Sequence, residues 1–382
     1  VKAKDLFKKI LSSLNETAHP WITFKDAANE SCPINHKTLV HSTNLCTEIF
    51  LPTDADTTAV CNLTSINLSR HLNEAKSDFD YEKLRESVKL AVRQLDNVID
   101  VNFYPTEKAR KGNQEYRPVG LGVMGFADAL EQLQIPYGSE TAEGITDRIF
   151  KLMKEEGIKV SSQLAEERGV FPEYKGSKWD KDGIPMRNGT LMAVAPTVTI
   201  SMIAGTSQSM DPNYSNFFTR NNIAGKFAEF NNNLVDVLKS LNLWETLHQE
   251  VLLSGGSIQN INEIPDHVKE IFKTAFELDQ RSIIRIAAVA QKHIDQGISR
   301  NLYFDTTSLD DLTAVYMYAW EQRLKSTYYA FFAPTAKTEG KFIYREESKD
   351  NKSPKKESAE EAPAVCGLNP NDPEFEHCEA CQ

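Results

Sequence analysis

The chain has 382 residues, with 43 Lys plus Arg against 54 Asp plus Glu for a formal net charge of −11. Its 40% of hydrophobic residues is enough for one large core or two ordinary ones, and no run approaches the roughly 20 apolar residues of a membrane helix. A membrane or secreted protein is therefore set aside, and the acidic balance argues against general nucleic-acid binding, which needs a basic face.

Residues 2 to 14 read as a helix with Leu6, Ile10 and Leu14 on one face; no cap precedes it, and the first residue is Val1, which fits a cut, processed or separately encoded piece. The amphipathic start lacks the apolar region of an export signal, so the expected compartment is the cytoplasm. Residues 44 to 51 and 58 to 68 carry the alternation and β-branching of strands. A helix is predicted over 81–101, with Leu84, Val88, Leu95 and Val98 forming its stripe. Further helices are predicted over 141–168, 226–241, 266–296 and 309–325, with short buried strands over 190–195 and 299–304, an α/β pattern. From residue 345 the apolar periodicity ends and ten acids face five bases, which predicts a domain over 1–344 and a flexible tail over 345–382.

Six cysteines are too few for a disulfide scaffold, and they fall in two groups: Cys32, Cys46 and Cys61 early, and Cys366, Cys378 and Cys381 in the last 17 residues. In Asn44-Leu45-Cys46-Thr47-Glu48, period-2 geometry puts an amide, a thiol and a carboxylate on one face of an extended segment. That set offers an orienter, a sulfur for covalent or radical chemistry, and a base. The plainer alternative is a strand with a buried cysteine and solvated neighbours, weakened by a second cysteine, Cys61, on another strand-like segment. Residues 190 to 212 read as a strand entering a hydroxyl-rich turn, where Thr197, Thr199 and free amides either cradle an anion or merely cap a helix. Gly120, Gly122 and Gly125 match G-x-G-x-x-G, but the charged, Pro118-bearing stretch before them is no central strand, so the glycines are read as permitting close packing. Tyr328 and Tyr329, at the close of the last helical stretch, are either half-buried aromatics or phenols placed to pass an electron and a proton. Cys378 and Cys381, in C-x-x-C spacing on the tail, suit thiol exchange; a zinc site with Cys366 and His377 is the disfavoured rival, and no other metal motif is present.

Taken together, residues 42–49, 60–68, 120–130, 195–200, Asp211-Pro212, 325–329 and the terminal cysteine pair resemble, in order, the large catalytic subunit of class I ribonucleotide reductases. The resemblance covers only the C-terminal half of such a subunit. It implies half of a ten-stranded α/β barrel, with the segment around Cys46 as a finger loop at its centre. It further implies that Cys46 carries the thiyl radical, that Glu48 is the base, that Asn44 binds the substrate hydroxyls, and that Cys61 is one of two reducing thiols. Residues Thr197, Val198, Thr199 and Ile200 then match the diphosphate loop, Tyr328 and Tyr329 the radical relay, and Cys378 and Cys381 the pair reduced by thioredoxin or glutaredoxin. No cofactor is implied in this chain: the radical comes from a metal-containing small subunit, and nucleotide effectors bind upstream. The implied partners are an N-terminal half, the small subunit and a ribonucleoside diphosphate, with no membrane and no nucleic acid. Two readings follow: an enzyme part of a split subunit, inactive without its other half, or a non-catalytic remnant that binds the small subunit or regulates the reductase.

Overall fold

A computed structural model describes residues 2–222 and 225–333; the calls on Cys366, His377, Cys378, Cys381 and the tail lie outside the described residues. In chain order the elements are α1 (Ala3–Thr17), α2 (Lys25–Ser31), β1 (Leu63–Asn67), α3 (Tyr81–Val101), α4 (Glu107–Tyr116), β2 (Gly120–Met124), α5 (Phe126–Gln132), α6 (Glu140–Arg168) and α7 (Lys178–Lys181). They continue with α8 (Val198–Ala204), β3 (Phe217–Asn222), β4 (Gly225–Phe230), α9 (Asn232–Ser240), α10 (Trp244–Leu253), α11 (Asp266–Ile271), α12 (Gln280–Gln291), β5 (Leu302–Phe304), α13 (Leu309–Glu321) and β6 (Ala330–Phe332).

Apart from β3 and β4, which pair antiparallel with each other, the strands pair in parallel and in chain order. β1 pairs with β2 from Leu63 opposite Gly120 to Asn67 opposite Met124. Single parallel bridges then join Leu121 to Met192 and Val194 to Ile298, and β5 pairs with β6. Helices return the chain between neighbours, as parallel pairing requires. The outer helices are set by their stripes: α3 is capped by Asp80, which accepts from the Lys83 amide, and buries Leu84, Val88, Val92, Leu95 and Ile99. It packs on α6, which runs from the Ser139 cap to Gly169.

Several sequence expectations change here. The buried face of α1 is Leu11 and Leu14, while Leu6 is exposed, and Val98 also faces outward, one step round from Ile99. The stretch 226–241 opens as strand β4 before α9, and 266–296 divides into α11 and α12. Gly120 and Gly122 lie in strand β2 itself, where a Cβ on Gly122 would stand 2.5 Å from the Ala193 carbonyl oxygen. Close approach is thus the reason for glycine at 122, within a strand that leads into α5.

Residues of α9 to α11 build a second, smaller core from Leu234, Leu238, Leu247, Val251, Val268 and Phe272. Its tie to the main body runs through Glu131 of α5, a buried carboxylate that accepts from the side-chain amides of Asn213, Asn231 and Asn233.

Candidate active site

The segment around Cys46 is not extended. Leu45 and Cys46 form a turn closed by the Thr47 amide donating to the Asn44 carbonyl at 3.1 Å, with Thr47 in the left-handed region at φ 65°. Backbone competition with the strand is won by Asn44, whose Oδ1 accepts from the Ile49 amide at 3.0 Å. Asn44, Cys46 and Glu48 therefore meet through a turn, and not by strand periodicity.

Two later segments clamp this turn. From the first, the Gly297 amide donates to the Glu48 carbonyl at 2.7 Å, and Gln296 Oε1 accepts from the Phe50 amide at 3.3 Å. A Cβ on Gly297 would meet the Phe50 ring at 2.5 Å, so only glycine fits there. From the second, Ser326 Oγ donates to the Thr47 carbonyl at 2.7 Å and Thr47 Oγ1 donates to the Thr327 carbonyl at 3.3 Å. Lys325, fully buried, anchors the second clamp by donating to the carbonyls of Ile294 and Asp295; burial pulls its ammonium down to about 7.

Tyr328 and Tyr329 lie past α13, in extended backbone leading into β6, and not at the end of a helix. The Tyr328 amide donates to the Arg300 carbonyl at 2.7 Å, and the Tyr329 amide to Asn301 Oδ1 at 3.3 Å. Buried Arg300 is ion-paired with Asp211, which also accepts from Asn301 Nδ2 at 2.6 Å, so the backbone carrying both tyrosines is braced. The two rings are 4.4 Å apart between centroids, and the Tyr328 hydroxyl donates to Cys46 Sγ at 3.8 Å. Trp21 packs on both rings, at 4.8 and 5.1 Å.

Burial shifts the ionisable groups of the site toward their neutral forms. Burial raises the Tyr328 phenol, and Cys46 and Tyr329 act in the same direction. Burial also raises the Cys46 thiol, followed by the negative charge of Glu48, with Tyr328 opposing. The Glu48 carboxyl is raised by burial, while hydrogen bonds from Asn44 and Ser299 favour its charged form. Cys61 opens to solvent beside Asn62, Thr64, Gln94 and Asn102, in a cleft of about 520 Å³. The surrounding protein nevertheless pushes its thiol up to about 11, and the charges of Glu48 and Cys46 add to this. Buried Cys32 is the remaining free thiol among the described residues.

Thr197 caps α8 from the left-handed region at φ 53°, but its hydroxyl accepts from the Ser209 amide at 2.7 Å and makes no side-chain cap. Val198, Thr199 and Ile200 are exposed, and the amides of this first turn have no carbonyl to bond within the helix. Sequence reasoning missed Ser299, Ser326 and Trp21. Ser299 and Ser326 sit in segments read for strand character and for tyrosines, and the chain distances that bring them to Cys46 leave no local signal.

The fold is thus a parallel α/β core whose connecting segments bring together a thiol, a carboxylate and two packed tyrosines. The family model described as ribonucleotide reductase, barrel domain, matches residues 1–186 and 182–330, and the chain belongs to that family. The alpha subunit of ribonucleoside-diphosphate reductase from Chlamydia trachomatis is 40% identical over 430 residues, covering 100% of this chain and 40% of the relative. The large subunit from Caenorhabditis elegans is 35% identical over 355 residues, covering 86% of this chain and 45% of the relative. Among solved structures, the class Id ribonucleotide reductase alpha subunit of Actinobacillus ureae superposes with a TM-score of 0.74 at 33% identity, covering 87% of this chain and 61% of that one. The chain thus spans less than half the length of these curated relatives.

Proposed function

We propose that this chain is the part of a ribonucleoside-diphosphate reductase large subunit that carries the radical chemistry, reducing ribonucleotides to deoxyribonucleotides. The observation that carries the reading is the Tyr328 hydroxyl donating to Cys46 Sγ at 3.8 Å with Tyr329 packed behind it. In this reading a metal-containing small subunit supplies the oxidising equivalent, and the tyrosines pass it inward by moving one electron and one proton each.

Cys46, as a thiyl, takes the ribose 3′ hydrogen, and Glu48 takes the proton of the 3′ hydroxyl, which Asn44 helps to orient. The 2′ hydroxyl leaves as water. Cys61 and a second thiol outside this chain form a disulfide and supply the two electrons, after which Cys46 returns its hydrogen. The α8 amides with Thr197, Val198, Thr199 and Ile200 hold the diphosphate. Cys378 and Cys381 re-reduce the disulfide and are reduced by thioredoxin or glutaredoxin in the cytoplasm.

The remaining barrel segments complete the site. Among the described residues β1 pairs on one side alone, and the cleft beside Cys61 opens there. Effector nucleotides bind on those segments. No helix among the described residues is long and apolar enough to cross a membrane.

The test is reconstitution. This chain is combined with a polypeptide supplying the remaining barrel segments, the small subunit and a thiol reductant, and deoxynucleotide formation is assayed. Turnover that requires all parts supports the proposal. Tight binding to the small subunit with no turnover under any combination would favour a non-catalytic regulator.

A further inference from the structure

We propose that Ser299 is a positioning residue whose single hydroxyl hydrogen alternates between the Glu48 carboxylate and the Cys46 carbonyl, according to whether Glu48 holds a proton. The inference rests on the reading of Cys46 and Glu48 given above. Ser299 Oγ stands 3.1 Å from Glu48 Oε2 and also within hydrogen-bond distance of the Cys46 carbonyl oxygen. A serine hydroxyl has one hydrogen and two lone pairs, so it cannot donate to both at once. Ser299 is fully buried, and its amide donates to the Val194 carbonyl at 2.9 Å, which fixes the backbone and leaves the hydroxyl rotor as the mobile part.

The state of Glu48 decides the direction. Against the carboxylate, a charge-assisted bond outweighs a neutral one, and the hydrogen points to Oε2. Once Glu48 has taken a proton from a substrate hydroxyl, its O–H becomes a donor and the Ser299 oxygen can accept it. The serine hydrogen is then free to reach the Cys46 carbonyl. One proton has passed from substrate to Glu48 and none has left Ser299. Loading the base therefore adds a hydrogen bond to the turn that holds the radical sulfur.

Among the described residues, the thiols that feel the charge of Glu48 are Cys46 on its own turn and Cys61 ahead of β1, and Tyr328 contacts Cys46. Both thiols are raised, so across the carboxyl range they stay neutral and do not blur its titration.

The experiment titrates Glu48 in this chain by the infrared band of its protonated carboxyl, assigned by its loss in Glu48→Gln. Ser299→Ala should move the midpoint up by about one pH unit, since a donor to the charged form is lost. Ser299→Thr, which keeps the hydroxyl, should leave it in place. In the reconstituted reductase the acid limb of kcat should move upward with Ser299→Ala while KM holds. An unmoved midpoint in the alanine variant, or a threonine variant that behaves like alanine, overturns the role of Ser299. If the alanine variant does not fold, Ser299→Cys, a weaker donor, should show the same direction with a smaller shift, and no shift there overturns the proposal as well. A moved midpoint in a chain whose reconstituted wild type never reduces nucleotides would leave Ser299 coupled to Glu48 and count against the enzyme reading alone.

Discussion

Tyr328 and Cys46 are 282 residues apart in the chain, yet the phenol of one donates to the sulfur of the other at 3.8 Å. Phenylalanine at this position keeps the packing but has no phenolic proton to exchange. Tyr328→Phe, and likewise Tyr329→Phe, should abolish turnover in the reconstituted enzyme and leave substrate affinity unchanged. Steady-state assays with parallel binding measurements check this; normal turnover in either variant would return the pair to the status of packing aromatics.

Cys46→Ser should leave folding and substrate binding nearly intact and remove nucleotide reduction, because an oxygen cannot replace a sulfur radical in exchanging hydrogen with ribose. Residual activity above about a tenth of wild type would sink the radical role. Glu48→Gln should bind substrate and react far more slowly, having lost the base.

Paired replacement of Cys378 and Cys381 by serine should block repeated turnover driven by thioredoxin and spare a single turnover from prereduced enzyme, since the site thiols act before the tail does. Rapid-quench analysis separates the two. Stoichiometric zinc in the wild type, lost on substitution with unfolding, would instead point to a structural metal.

Glu131 makes a prediction about stability. Burial pushes its carboxyl up to about 7 from 4.5, Asp128 adds to this, and Asn233, Asn231 and Asn213 oppose it. The folded state thus holds a proton that the unfolded chain releases between these values. Stability should fall as pH rises from about 4.5 to about 7, by up to about 3 kcal/mol, and then level off. Melting curves between pH 5 and 8 should show this slope in wild type and lack it in Glu131→Gln; parallel curves would refute it.

Much of the scaffold could be read locally. Helix α3 matched its predicted bounds because an Asp80 cap and a regular stripe act within a few residues of each other. The residue types of the candidate site could be picked out along the sequence, but not the geometry that brings them together. Alternation suggested a strand through Cys46, whereas Asn44 bonds within its own turn and the clamps come from Gly297, Ser299 and Ser326. The split of 266–296 into two helices was hidden for a similar reason: α11 serves the small core and α12 the large one, a tertiary demand that periodicity does not encode.

Both clamps on the Cys46 turn come from residues 296–299 and 325–327, far downstream of the thiol they hold. During translation the turn lacks both clamps until those residues leave the ribosome. At about 5–20 residues per second, the nascent thiol waits on the order of tens of seconds. Over that interval Cys46 is held by its local turn alone, and the clamps that fix its sulfur in place arrive late, leaving the thiol half-buried even then.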